Sequence, residues 1–254
     1  MILLIDTSQE IGTVAIESDG KVLFSEENKI AKEHAAWLHS ATGRILNEAK
    51  MTLRELEAIA VVAGPGSYTG LRVAMAAAKG FCYALKIPLI IQNTLRVMAG
   101  SMKETAINNG ALICPMIDAR RDEVFTALFT LNAERLTPNT LFTPNAERVT
   151  PNAQPPTANR QQPTANDLTE ILPPQALILD KNSFEKELTD NPIVFFGSGA
   201  DKWKEICISP AAIFEPQPAI IHSFAQLARQ DFIIKNWADP VYSEPVYLKE
   251  FFSY

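Results

Sequence analysis

The sequence has little of what several common classes of protein need. Its three cysteines, Cys82, Cys114 and Cys207, are far apart and form no C-x-x-C pair. Such spacing argues against a disulfide framework and predicts reduced, mostly buried thiols. No apolar run approaches the roughly 20 residues that a membrane-spanning helix needs, so we expect no membrane partner.

Basic clusters are also missing. The chain has 23 lysines and arginines against 29 acidic residues, for a net charge of −6. Proteins that bind nucleic acid unaided usually present clustered basic side chains to the phosphates, so we expect no direct nucleic-acid binding by this chain alone. The apolar start, Met1 to Ile5, meets Asp6 at once, unlike a secretory leader, and we expect a cytoplasmic protein.

What the sequence does contain is an alternation of strand-like and helix-like segments. Strands are predicted at 2–5, 13–17, 22–26, 59–62 and 88–91, and helices at 33–49 and 71–85. A fainter repetition follows, with strands at 112–117 and 124–131, order resuming at 176–179, a strand, glycine turn and helix at 193–203, and a helix at 220–234. The pattern predicts an α/β fold of two similar lobes, divided as 1–105 and 106–254.

The second lobe is interrupted by a segment of different composition. "NAERLTPN" at 132–139 recurs as "NAERVTPN" at 145–152, and proline, asparagine, threonine and glutamine dominate. So few apolar residues cannot offset the entropy of ordering the chain. We predict a disordered insert at about 132–167.

The turn Gly64-Pro65-Gly66-Ser67-Tyr68-Thr69-Gly70 follows a strand and opens a helix, the place where backbone amides favour an anion. It matches neither G-x-G-x-x-G nor the P-loop pattern. One interpretation is a tight crossing with Ser67 or Thr69 as the helix N-cap. The other is a phosphate cleft, for which the candidate residues are Asp6, Thr7, Gly66, Ser67, Thr69, Gly70, Asp118 and Arg120.

Three members of that set carry alternatives of their own. Asp6 ends a buried strand, where its carboxylate could orient a magnesium phosphate or cap a turn. Asp118 and Arg120 lie in "MIDARRDEVF", which is either a solvated hairpin turn or a place where Arg120 or Arg121 grips a carboxylate or phosphate.

Metal chemistry finds little support in the histidines. His34 and His39 lie five positions apart on the first predicted helix, so they point about 140° apart around its axis. Two ligands of one ion are instead spaced i, i+4. The sequence therefore predicts no metal site, and it offers no nucleophile system of the Ser-His-Asp or Cys-His type, so no catalytic residue is expected.

The helix at 71–85 is apolar nearly all round. Such a helix is buried on both sides or meets another chain, and its small residues allow close approach, so a protein interface is predicted. Replacing Ala77 with glutamate should disrupt association without unfolding the chain.

The segments "LLIDTS", "AVVAGPGSYTGLRVAMAAAKG" and "MIDARRDEVF" together resemble the TsaB (YeaZ) family of tRNA threonylcarbamoyladenosine biosynthesis proteins. The resemblance implies an actin-like fold of the sugar-kinase and heat-shock ATPase superfamily. It also implies a non-catalytic subunit that binds and activates TsaD, which transfers the threonylcarbamoyl group to adenosine 37 of tRNAs reading ANN codons. TsaE would join the complex, tRNA and ATP or ADP would be met only through it, and the free chain would form a homodimer.

By the same resemblance, the partner surface uses the first two helices. Its candidate residues are Ala35, Leu38, Thr42, Ile45, Leu71, Val73, Ala74, Ala77, Ala78 and Phe81. The rival hypothesis is a phosphotransferase of the sugar- or acetate-kinase type that uses a nucleotide, Asp6 and the turn from Gly66 to Gly70. A protease is a third and weaker alternative.

Overall fold

Two five-stranded sheets form the framework of the protein. The computed structural model describes residues 1–30, 33–131 and 168–249. The strands are β1 (Ile2–Asp6), β2 (Gly12–Ser18), β3 (Lys21–Asn28), β4 (Ala58–Val62), β5 (Leu89–Gln92), β6 (Leu112–Asp118), β7 (Glu123–Leu131), β8 (Leu168–Ile178), β9 (Ile193–Phe196) and β10 (Ala212–Phe214). The helices are α1 (His34–Glu48), α2 (Tyr68–Leu85), α3 (Thr94–Ser101), α4 (Lys103–Asn109), α5 (Glu185–Asp190), α6 (Ala200–Ile206) and α7 (Ile221–Ile233).

The two sheets have the same topology. The first has the order β3-β2-β1-β4-β5, and the second has the order β8-β7-β6-β9-β10. In each, three antiparallel strands are followed by two strands that run parallel to the first. The predicted α/β fold with repeated βββαβα units is therefore confirmed.

Each sheet is covered on both faces, and each half of the chain lends a helix to the other half. Because side chains alternate along a strand, Leu3 and Ile5 pack under α1 and α2, while Ile2 and Leu4 pack under α7. The second sheet is covered by α3 and α4 on one face and by α5 and α6 on the other. The helix α7 is also tied to the first sheet by an ion pair of 2.7 Å between Arg229 and the buried Glu17.

Most predicted elements are found, with shifted ends. Order was predicted to resume at 176–179, and the structure has a strand that begins at Leu168; α3, α4, α5 and β10 were not predicted. The predicted division after residue 105 falls inside α4 and stays a prediction. The predicted insert at about 132–167 lies outside the described residues. Within the described part of the chain, no helix combines the length and apolar character needed to cross a bilayer.

Candidate functional site

The glycine turn after β4 packs directly on the loop after β1. The Ser67 amide donates to the Ser8 carbonyl at 2.7 Å, and the Thr7 hydroxyl donates to the Gly70 carbonyl at 2.7 Å. A Cβ added at Gly66 would lie 2.2 Å from the Ser8 carbonyl oxygen, and one at Gly70 would lie 1.9 Å from that of Thr7. The two glycines therefore allow the loop after β1 to pack directly on the backbone of the turn.

The first-lobe candidates Asp6, Thr7, Gly66, Ser67 and Gly70 are thus brought together, and Thr69 lies beside them in the first turn of α2. Asp6 accepts a hydrogen bond of 2.8 Å from the Ser8 amide. Its carboxylate therefore caps the turn after β1, which is one of the two roles that the sequence left open for it. Burial raises the pKa of Asp6, against the opposing effect of its Ser8 bonds and of His34. Ser67 is the N-cap of α2, accepting from the Gly70 amide at 3.3 Å.

The second-lobe candidates form a separate group at the end of β6. Asp118 accepts from Lys202 at 2.7 Å and from the Arg120 amide at 2.6 Å. Burial raises the pKa of Asp118, but Lys202 and the Arg120 amide outweigh it, so the pKa is lowered. The side chains of Arg120 and Arg121 are exposed, and among the described residues no hydrogen bond or ion pair joins this group to the first.

The two histidines of α1 have different surroundings. His34 is buried against Asn28 and Gly12, whereas His39 is exposed and its ring lies 5.6 Å from that of Phe81. Within residues 1–30, 33–131 and 168–249, no three metal-ligating side chains come together.

An open groove lies between α1 and α2. It has a volume of about 570 Å³ and is lined by Ala35, His39, Val73, Ala76, Ala77, Gly80 and Phe81. The side chains on the α2 side are mostly small and recur at the i, i+3, i+4 spacing of one helix face. The groove is therefore a shallow apolar surface on which another element could pack closely.

Six of the predicted partner residues cannot line this groove. They pack inside the chain's own core and are almost fully buried, so the partner role predicted for them is corrected: Leu38, Thr42, Ile45, Leu71, Ala74 and Ala78. Ala35 is exposed, Val73 and Phe81 are half-buried, and Ala77 is 8% exposed. Sequence reasoning missed His39, Ala76 and Gly80 as groove residues, although 73, 76, 77, 80 and 81 share one helical face.

The topology of the two sheets shows which class of fold the protein has. Two lobes with the strand order 3-2-1-4-5, each with helices on both faces, constitute the actin-like fold. A solved structure from Pseudomonas aeruginosa, described as an uncharacterized protein with similarity to peptidase YEAZ, has a TM-score of 0.72 at 22% identity and covers 98% of this chain and 99% of that one. "YeaZ from Pseudomonas aeruginosa" has a TM-score of 0.68 at 22% identity, with 97% and 99% covered.

Sequence comparison gives the family. The model described as "TsaD: tRNA N6-adenosine threonylcarbamoyltransferase" matches residues 26–234. The TsaB protein of Bacillus subtilis (strain 168) is 33% identical over 128 residues, 50% of this chain and 54% of that protein. TsaB of Escherichia coli (strain K12) is 34% identical over 127 residues, 50% and 53% respectively. The chain belongs to the family of this model, it is similar to the TsaB proteins of both organisms, and it spans about half the length of the curated relatives it matches.

Proposed function

We propose that this chain is a non-catalytic subunit in the formation of N6-threonylcarbamoyladenosine on tRNA, and that it binds and activates a TsaD partner. Its family membership supports the pathway, because the relatives are biosynthesis proteins for this modification. In this proposal it works in the cytoplasm, TsaE joins the complex, and tRNA and ATP or ADP are met only there.

The groove between α1 and α2 carries the proposal. An exposed groove with small residues lets a partner helix approach closely, while Phe81 and Val73 supply apolar area in its lining. Small side chains at a contact allow the axes of two packed helices to lie close together. In the free protein the same groove would hold a second copy of the chain, so a homodimer and a partner complex compete for it.

The packing of the glycine turn favours the subunit over the rival phosphotransferase. The Ser8 and Thr7 carbonyls fill the positions where side chains at 66 and 70 would begin, so close packing of the two loops explains these glycines without a phosphate. Asp6 is 4% exposed and bonded to the Ser8 amide, so its carboxylate is poorly placed to hold a magnesium phosphate.

The test is a reconstituted reaction with TsaD, TsaE and tRNA from the same genome. Product should form with this chain and be lost, or fall at least about tenfold, without it. The variant Ala76→Glu should have the same effect, because it places a charge in the groove. Ala76 is exposed, so a glutamate there should leave the core intact, whereas a glutamate at Ala77 would disturb the core in which Ala77 packs.

Ala36→Glu is the matched control, since Ala36 is exposed on α1 and does not line the groove. It should leave both product formation and association unchanged. Equal product with and without the chain would refute the subunit role, and equal loss in both variants would refute the groove.

A further inference from the structure

The last described segment, residues 238–249, runs from the first lobe to the second. It begins beside β5, where the Ala238 amide donates to the Leu89 carbonyl at 2.8 Å. Lys79 of α2 then donates to the Val241 and Ser243 carbonyls at 3.1 and 3.0 Å. The segment is therefore held along α2 by bonds to its backbone, which do not depend on its side chains.

The middle of the segment is anchored at the glycine turn. The Val246 amide donates to the Ala63 carbonyl at 2.7 Å, and the Val246 carbonyl oxygen lies 2.5 Å from where a Cβ of Gly64 would be. Gly64 has φ +117°, a conformation that other residues rarely adopt. A glycine at position 64 thus leaves the room that the backbone of the segment needs to pack on the turn.

Next along the segment, Tyr247 makes an aromatic and cationic cluster with the start of α2. Its hydroxyl accepts from Arg72 Nε at 3.1 Å, and its ring centroid lies 5.2 Å from that of Tyr68. The Arg72 guanidinium lies 4.0 Å from the Tyr68 ring centroid. Contacts of this type stabilise a structure by more than the burial of their apolar area alone. Tyr247 is therefore a second anchor of the segment beside the turn.

The segment then reaches the other lobe. Lys249 forms an ion pair with Glu123, the first residue of β7, at the hairpin that contains Asp118. The segment therefore links the loops at the carboxyl ends of β4 and β6, one in each sheet. Open α/β sheets usually bind their ligands at the carboxyl ends of parallel strands.

We propose that residues 238–249 are an intrachain strap that joins α2 and the glycine turn of the first lobe to the β6–β7 hairpin of the second and holds the turn and the hairpin in position. The strap acts as one unit, because its anchors on α2, on the turn and on the second lobe follow one another without a gap. This inference does not depend on the proposed function.

Hydrogen exchange of the full chain tests the strap. The double variant Arg72→Met and Lys79→Met removes the side chains on α2 that hold it. We expect exchange to become at least about tenfold faster at the amides of Ala238 and Val246. We expect faster exchange also in the turn at 63–67 and in the hairpin at 118–123, which neither substitution touches, while α1 stays as protected as in the parent protein.

The control is Lys186→Met, which removes an exposed lysine from α5 and should leave every one of these segments unchanged. Unchanged exchange at Ala238 and Val246 in the double variant would overturn the proposal, because the anchors would not hold the segment. Faster exchange confined to 238–249 would overturn it as well, because the segment would then be a passive appendage that positions nothing.

Discussion

The ends of the two sheets use the same backbone device. In the first lobe, the turn after β4 donates the Ser67 amide to the Ser8 carbonyl at 2.7 Å, and in the second, the turn after β9 donates the Gly199 amide to the Met116 carbonyl at 3.0 Å. A Cβ at Gly66 would lie 2.2 Å from the Ser8 oxygen, and one at Gly197 would lie 2.3 Å from that of Met116. In both halves the strand-to-helix crossing therefore packs closely on backbone of the first strand of the sheet or of the loop after it.

The carboxylates at these two sheet ends are treated in opposite ways. Asp6 and Asp118 each end the first strand of their sheet. Asp6 is 4% exposed, and burial raises its pKa. The Asp118 side chain is 44% exposed and paired with Lys202, and its pKa is lowered. The end of the first strand thus carries a buried carboxylate in one lobe and a solvent-exposed, paired carboxylate in the other.

The largest effects should come from filling the shared backbone contacts. Gly197 has φ +100°, so Gly197→Ala combines backbone strain with a clash against Met116 and should cost about 2–4 kcal/mol of unfolding free energy. Gly66→Ala should cost about 1–3 kcal/mol. Urea denaturation measures both.

The control for these two is Gly43→Ala, since Gly43 lies in α1 with nothing within 4 Å of its added Cβ. It should raise stability by about 0.5–1 kcal/mol. The equivalence of the two lobes would fail if only one of the two turn variants were destabilised.

A second pair of variants separates close packing from helix propensity within α2. A Cβ at Gly70 would lie 1.9 Å from the Thr7 carbonyl, whereas one at Gly80 would meet nothing within 4 Å. Gly70→Ala should therefore cost about 1–3 kcal/mol, and Gly80→Ala should gain up to about 1 kcal/mol. A gain in both variants, measured by thermal and urea unfolding, would show that the β1 loop yields easily.

The two carboxylates should give opposite pH dependences. The pKa of Asp6 is raised above 3.8, so the folded parent loses stability as pH rises from 3.8 toward that pKa, and Asp6→Asn should become relatively more stable over this range. The pKa of Asp118 is lowered, so its contribution is present above 3.8 and lost as pH falls through the folded value.

Asp118→Asn should therefore be less stable than the parent at neutral pH, by less than about 1 kcal/mol because the pair is partly exposed, with the difference vanishing in acid. Unfolding free energies across pH 3 to 8 measure both variants. Two pH profiles of the same sign would contradict the contrast between the lobes.

The sequence indicates the repeated fold because strands and long helices leave periodic patterns. The helix predicted at 71–85 is found as Tyr68–Leu85, and the one at 220–234 as Ile221–Ile233. The helices α3, with 8 residues, and α4, with 7, are too short for a period to emerge. Pro173 and Pro174 make the sequence of β8 unlike that of a strand. The strand tolerates both prolines because it lies at the edge of its sheet.

The candidate site is less accessible from sequence than the fold. An apolar helix such as α2 does not reveal which face is inside, so six core residues were assigned to a partner. The strap was missed because its contacts join residues far apart in sequence, as in the bond of Tyr247 to Arg72. Such pairings depend on the path of the whole chain and leave no local pattern.

The smallest effect concerns the hairpin turns of the two lobes. The turn between β2 and β3 has Asp19 and Gly20 at φ 52° and 77°, whereas the turn between β6 and β7 has Arg120 and Arg121 at φ 69° and 52°. Left-handed conformations suit glycine and strain other residues. Arg121→Gly should therefore stabilise the chain by about 0.5–1 kcal/mol, and Gly20→Ala should destabilise it by a similar amount, both measured by urea denaturation.

The outcome bears on why two strained arginines are present at all. The carbonyl of Arg121 accepts from Lys202, and that bond survives substitution to glycine because it uses the backbone alone. If Arg121→Gly is more stable but forms less product in the reconstituted reaction, the arginine side chain is kept for a contact outside this chain, since strain persists where function requires it. If stability rises and product formation is unchanged, the Arg121 side chain has no part in the reaction, and its place in the turn is only that of a solvated connection.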